Sequence, residues 1–309
     1  MKAVARAPGK IILAGEHFVV YGSFAVASSI DLYVTVTAEF HKEPYIVSED
    51  LGIKEPIDQT SHVLRPIAIS IAPLIKGEKV VLKIKSDIPL SAGLGSSAAV
   101  NVAAVKAIDE LLELKMKSDE IYEAAMRGEK LIHEKPSGID VAISLFGGFL
   151  LFKKGYRKQV CLGKNMEFML CNTGLQRSTG QMIKRVASFA SKNYKLFSKM
   201  VEVVSTISVN LVRYLERGEM ERIGYLMNMN HEMLRVIGAS NSILDRIVYG
   251  SRPFCFGSKL TGAGGGGCTI HLVKRERTKD LNSFLSKTCY KSMFVKAGVE
   301  GVKSWKIRN

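Results

Sequence analysis

The run Pro89-Leu90-Ser91-Ala92-Gly93-Leu94-Gly95-Ser96-Ser97-Ala98-Ala99 sets glycines and serines directly ahead of an apolar repeat with helical spacing. Glycine lets main-chain N–H groups turn inward without a Cβ in the way. A helix start adds unsatisfied N–H groups and the positive end of its dipole. Loop plus helix start is therefore a phosphate cradle. Ser96 and Ser97 read equally well as plain N-caps. A hydroxyl at this point also reaches a metal ion held on the phosphates, as the serine or threonine of a P-loop does.

Two acids stand close in sequence: Glu129 near the end of a helical pattern and Asp140 in the stretch Lys135-Pro-Ser-Gly-Ile-Asp140. Pro136 ends the helix and Gly138 lets the chain turn, so both can converge on one site. Taken alone, each acid is more often a surface charge. Lys10, after Ala7-Pro8-Gly9, and the pair Glu16-His17 read as lying on another sharply turned loop. His17 and His133 taken singly are structural histidines. A second glycine run, Thr261-Gly262-Ala263-Gly264-Gly-Gly-Gly267, separates two apolar segments. Its entropy cost on folding points to close approach of a ligand or another backbone rather than a simple connection.

Both glycine runs fit the dinucleotide fingerprint loosely and fail its context. Gly93-x-Gly95-x-x-Ala98 sits several residues beyond its strand, with Pro89 between, and Gly262-x-Gly264-x-x-Gly267 leads into a strand-like segment. No Gly-x-x-x-x-Gly-Lys-Ser/Thr occurs, which excludes a P-loop protein. The 44 Lys and Arg against 29 Asp and Glu give a net charge of +15. That balance favours anionic partners in general. The basic residues are spread along the chain, which argues against nucleic acid and for small anions. The five cysteines show no metal-ligand spacing and read as reduced thiols. No apolar run approaches a membrane span or a signal peptide, so no membrane partner and a cytoplasmic location are expected.

The elements that would position these groups are mixed. Strands are expected over Lys2 to Ala7, Leu32 to Phe40 and Val80 to Lys85, with an irregular polar stretch at 41–60 and a proline-broken helix near 62–75. Helices are expected over Ser97 to Leu114 and Asp119 to His133, then a turn and strand over Phe146 to Phe152. Residues 179–251 turn helical, with Phe197, Val201, Val204, Ile207, Leu211 and Leu215 spaced at three and four. The tail returns to strands at Phe254 to Leu260 and Cys268 to Val273, a helix near 278–288 and terminal strands. The fold class is α+β, with a boundary near residues 153–168.

Ala7-Pro-Gly-Lys10 with Gly15-Glu-His17, the Pro89–Ala99 loop, and Lys259-Leu-Thr-Gly-Ala-Gly-Gly-Gly-Gly-Cys268 occur in the order seen in the GHMP kinases, which the chain resembles from residue 3 to about 275. Within that superfamily Gly15-Glu-His-Phe-Val-Val-Tyr-Gly22, Gly128-Glu-Lys-Leu-Ile-His133 and Pro136-Ser-Gly-Ile-Asp140 are most similar to the mevalonate kinase family. Glu134-Lys135 and Val141 depart from its pattern. The resemblance implies an N-terminal ATP-binding domain over 1–160 with a left-handed βαβ unit, and a C-terminal α+β domain over 161–309. It implies ATP and mevalonate as substrates, Mg2+ as cofactor and a homodimer. By position it implies Asp140 as base and Lys10 as the cation at the reacting oxygen. Ser97 and Glu129 would be magnesium ligands. Gly93 to Ala99 would wrap the phosphates, with Ser86 near the nucleotide. Glu16, His17, Thr179 and the Gly262–Gly267 loop would line the acceptor site. Phosphomevalonate and homoserine kinases are the rival enzyme readings, and an inactive basic regulatory protein on this fold is the rival outside enzymes.

Overall fold

The first strand runs through the proline that was expected to end it. In this computed structural model, residues 1–89, 92–132, 136–175 and 179–307 are described. Strand β1 (Lys2–Ala14) pairs antiparallel with β2 (Ala25–Phe40), from Lys2↔Glu39 to Ala14↔Val26. Register shifts at Pro8/Gly9 and Ile12/Ala14 absorb the missing proline N–H and bend the strand. Lys10 therefore sits on a strand, not on a loop. A turn and a short 3-10 helix, His17–Tyr21, connect β1 to β2.

The polar stretch read as irregular contains a hairpin, β3 (Tyr45–Ser48) and β4 (Ile53–Pro56). Helix α1 (Arg65–Ile75) is unbroken. Pro66 falls in its first turn, where no N–H is needed, and Pro73 lies two residues from its end. Strand β5 (Val80–Ser86) lies between β2, antiparallel, and β3, parallel. Helices α2 (Ser96–Leu112) and α3 (Ser118–Ile132) follow close to their expected ranges.

One helix was not anticipated. Residues read as loop and turn form α4 (Ile139–Phe146), which puts Asp140 in a first helical turn. Gly138, at φ +87°, serves as its N-cap, and Ile139, Val141, Ala142, Ile143 and Leu145 are all buried. A short helix buried nearly all round shows no apolar stripe, so periodicity misses it. Strands β6 (Phe149–Lys153) and β7 (Tyr156–Val160) complete this half.

The second half comprises β8 (Glu167–Asn172), α5 (Thr179–Lys192), α6 (Tyr194–Arg217), α7 (Met220–Val236), α8 (Ser242–Ser251), β9 (Cys255–Leu260), β10 (Cys268–Val273), α9 (Thr278–Thr288) and β11 (Lys291–Lys296). Its four-stranded sheet has the order β11-β8-β10-β9. The last strand, β12 (Lys303–Ile307), returns to the first sheet and pairs antiparallel with β1. That eight-stranded sheet reads β12-β1-β2-β5-β3-β4, with β6 beside β2 and β7 beyond it. The α+β class is as expected; the chain leaves the first sheet after Val160, enters the second at Glu167 and returns to the first at Lys303, so residues 161–309 do not all belong to the second sheet's half.

The largest core packs α2 against β1 and β2, through Val102 and Val105 on the helix and Ala3, Ala5 and Val36 on the strands. A second core gathers the first half of the α6 stripe, Phe197, Met200 and Val204, while Ile207, Leu211 and Leu215 join the largest core. Phe18, from the first half of the chain, enters the second core and stacks on Phe197 with ring centroids 5.6 Å apart. The halves thus meet beside His17.

The cysteine expectation needs one correction. Cys171 and Cys289 form a disulfide, with Cα atoms 5.6 Å apart. The pairing of Asn172 with Lys291 in neighbouring strands brings them together across a separation of 118 residues, which spacing could not reveal. Among the described residues no helix is long and apolar enough to cross a membrane.

Candidate active site

The glycine loop closes onto the first strand. Lys10 N donates to Leu94 O at 2.8 Å, and Lys10 Nζ donates to Gly93 O at 3.0 Å. Gly93 and Gly95 have φ of +78° and +77°, which side-chain-bearing residues rarely adopt. A Cβ on Gly95 would also lie 2.8 Å from Lys10 Cγ. The lysine stem lying against Gly95 adds a steric reason for glycine there.

Gly95 is the N-cap of α2 and no side chain caps that helix. The N-cap reading of Ser96 and Ser97 therefore gives way. The Ser97 hydroxyl instead donates to Glu129 Oε1 at 2.5 Å, spanning α2 and α3. Asn101, one turn further along α2, donates its amide to the same oxygen at 3.4 Å and is itself held by Ser70. Gly128 permits this approach, since a Cβ there would meet Pro66 O, Ser70 Oγ and Asn101 Oδ1 at 2.5–2.6 Å.

Asp140 reaches the same place from α4. Its Oδ1 lies 3.3 Å from Lys10 Nζ, and its side chain is about one-third exposed, whereas Lys10 is almost wholly buried. The cation is locked in place while the acid keeps an open side. Two supports hold Asp140's helix. Ser144, one turn on, donates to Pro8 O at 3.0 Å, and the Tyr122 hydroxyl lies 3.4 Å from Gly138 O. Burial pushes the Tyr122 phenol above its ordinary pKa, so it stays a neutral donor.

The second glycine run is the hairpin loop between β9 and β10. His17 Nε2 lies 2.8 Å from Ala263 O, so two expected acceptor-lining groups are in contact. Gly262 and Gly264 have φ of +78° and +76°, and a Cβ on Gly264 would meet Ala239 O at 2.0 Å. Close approach of another backbone accounts for the glycines here. Thr179 opens α5, three residues before Met182, whose sulfur packs against Gly265.

Other expected residues carry contacts of their own. Ser86 closes the end of β5: its N–H donates to Asp50 Oδ2 at 2.6 Å, and its hydroxyl accepts from Ile88 N at 3.1 Å. Glu16 is buried, ion-paired with Lys259, and accepts from Asn230 Nδ2 at 2.8 Å. Pro89 precedes the cradle, and Ala92, Ala98 and Ala99 are buried beneath it. Leu90, Ser91, His133, Glu134 and Lys135 lie outside the described residues. Lys259, Asn230 and Ser144 escaped sequence reasoning, although Lys259 stands inside the quoted glycine motif.

Residues 62–148 match the GHMP kinases N terminal domain and residues 211–291 the GHMP kinases C terminal domain. A mevalonate kinase of Thermococcus sibiricus is 33% identical over 312 aligned positions, covering 90% of this chain and 91% of that protein. This chain belongs to the mevalonate kinase family of the GHMP kinases. A mevalonate kinase of Archaeoglobus fulgidus is 35% identical, covering 89% of this chain and 94% of that one. The solved Methanococcus jannaschii mevalonate kinase superposes with a TM-score of 0.83 at 26% identity, covering 96% of this chain and 98% of that one. As a family member the chain is an ATP-dependent kinase. Kinase chemistry needs little covalent help from the protein and a great deal of positioning and charge stabilisation. A glycine loop at a helix start, a buried cation and an accessible carboxylate on one spot suit that need.

Proposed function

We propose that the chain transfers the terminal phosphate of ATP to the primary 5-hydroxyl of mevalonate. The observation that carries this reading is the convergence of Asp140, Lys10 and the Gly93–Gly95 loop, within 3.3 Å of one ammonium group. Asp140 orients the hydroxyl and takes its proton as the new oxygen–phosphorus bond forms and the bond to the departing ADP breaks. An alcohol is too weak an acid to be ionised beforehand, and a loose transition state does not require it. Lys10 stabilises negative charge developing on the transferring group. The α2 N-terminus and loop hold the phosphates through main-chain N–H groups. The relatives' shared name supports mevalonate as acceptor, and the His17–Ala263 contact supports the acceptor side facing this loop.

The oxygen pair of Ser97 and Glu129 fits magnesium. Among the described residues no group of three or more His, Cys, Asp or Glu side chains could hold a metal. Magnesium suits such a sparse hard-oxygen site, because it keeps waters and takes phosphate oxygens as further ligands. The tight Ser97–Glu129 contact is one a cation would replace by coordination from both oxygens. Bound there, the metal would neutralise charge on the phosphates.

The test follows ADP release with mevalonate, phosphomevalonate, homoserine and galactose as acceptors. Turnover with mevalonate at least about a hundredfold above the others in kcat/KM is expected, since sites built to pair with polar groups discriminate strongly. Preference for another alcohol reassigns the acceptor. No turnover with any of them removes the kinase reading.

A further inference from the structure

A fully buried lysine joins the two sides of the site. Lys259 Nζ donates to Leu260 O at 2.7 Å and Ile12 O at 3.1 Å, and it is ion-paired with Glu16 Oε1. Its three donors are thereby used. The second Glu16 oxygen takes the Asn230 amide at 2.8 Å, and Asn230 Oδ1 accepts from Gly15 N at 3.3 Å. Thr261 Oγ1 accepts from Ile12 N at 2.9 Å. Both main-chain groups of Ile12 are therefore held by residues 259 and 261.

The spacing gives these contacts their meaning. Ile12 lies two residues beyond Lys10 on β1, while Lys259 and Thr261 lie four and two residues before Ala263, the partner of His17. Strand β12 covers this edge of β1 only along residues 2–6. Further on, Thr261 and Lys259 take its place, and the strand bearing Lys10 is fastened to the root of the acceptor loop. A buried ion pair is weak evidence for stability, because well-packed apolar residues often serve as well. A pair that fixes one segment's register against another has a use that apolar packing lacks.

We propose that Lys259 is a positioning residue for phosphoryl transfer, and that Glu16 acts as its counter-ion and not as a ligand of the acceptor. Lys259 sets the separation between the Lys10–Asp140 pair and the Gly262–Gly264 loop, and so the depth at which the acceptor hydroxyl meets the cradle. Burial lowers the pKa of Lys259 and the Glu16 charge opposes that fall, so the pair depends on both members. This inference rests on the acceptor reading given above.

The test compares Lys259→Met, Glu16→Gln, the double variant and Thr261→Val for kcat, for both KM values and for thermal midpoint, per folded molecule by circular dichroism. Lys259→Met is expected to raise the mevalonate KM and lower kcat, each about tenfold or more, with the ATP KM within about twofold. Glu16→Gln keeps the shape and one of the two accepting oxygens, so it should lose less than Lys259→Met. The double variant should regain thermal stability lost in Lys259→Met, because no unpaired carboxylate remains, without regaining the mevalonate KM. If Lys259→Met does not fold, Thr261→Val carries the test through a mevalonate KM raised about threefold or more. Variants that lower only the thermal midpoint, with unchanged constants, would show a purely structural pair and overturn the inference. A wild-type enzyme inactive on mevalonate fails the acceptor reading instead, and the KM split is then read with whichever alcohol it does phosphorylate. No turnover of any alcohol overturns both.

Discussion

Asp140 and Lys10 divide their labour through exposure. The lysine is spent on fixed contacts to Gly93 O and the carboxylate, while Asp140 keeps an open face, which on the proposed mechanism meets the acceptor hydroxyl. Asp140→Ala should therefore lower kcat by roughly 10²–10⁴-fold, the usual reach of a general base, and leave the ATP KM nearly unchanged. Initial-rate kinetics check this, and near-normal turnover would remove Asp140 from the mechanism. Ser97 and Glu129 act on a different quantity. Removing either oxygen, in Ser97→Ala or Glu129→Gln, should raise the magnesium concentration needed for half-maximal nucleotide binding by about tenfold, as loss of metal-supporting groups commonly does. Calorimetry of ATP binding at stepped magnesium reads it without turnover. Superimposable titrations of variant and wild type would count against the pair as metal ligands.

Helices and strands place these groups by short ties between elements. Ser144 and Asp140 are four residues apart on α4 and share a face, and Pro8 and Lys10 share a side of β1. The two elements are thus joined twice, by the Lys10–Asp140 ion pair and by Ser144 Oγ donating to Pro8 O. Ser144→Ala leaves that buried carbonyl short of a donor, at a cost of about 1–3 kcal/mol. It also loosens the base helix, and a displacement near 1 Å can lose up to about a hundredfold in rate. A kcat fall of about tenfold with both KM values unchanged is expected, and a Ser144→Thr variant should recover part of it. Full kcat in a merely less stable Ser144→Ala enzyme would show that the tie serves stability alone.

The same ties mark where sequence reading stopped. Glycine type and order announced both loops, because positive φ and close approach leave a compositional trace. The motif singles out Asp140 but not its helix, since α4 is buried nearly all round. Likewise the first motif singles out Lys10 but not its strand, which continues past Pro8. Lys259, Asn230 and Ser144 act across separations of well over one hundred residues, as in the Lys259–Ile12 contact. Nothing local distinguishes Asn230 or Ser144 from a surface residue of its type, and only its place in the glycine motif marks Lys259.

Over the whole molecule, two buried histidines make stability depend on acid. His271 is enclosed between Thr269 Oγ1 at 2.8 Å and Ser251 Oγ at 2.9 Å, and burial holds its pKa down to about 3. His231 is held down to about 4, first by burial and then by the charge of Lys259, with Asp245 opposing. Unfolded, both would titrate near 6.5. Below that pH the unfolded chain binds protons that the folded chain refuses, so folding stability is full above about 6.5 and falls as the pH drops towards the folded values. Each histidine contributes a slope of up to about 1.4 kcal/mol per pH unit. Between pH 6.5 and 5 most carboxylates remain ionised, so this window belongs to the histidines. Urea unfolding at pH 7.5, 6.5, 5.5 and 5.0 should show a flat region followed by a decline. His271→Gln keeps an uncharged hydrogen-bonding side chain, and it should be less stable at pH 7.5 but decline less steeply below 6.5. Parallel declines in wild type and variant would show that His271 accepts protons in the folded enzyme, contrary to its burial between Thr269 and Ser251.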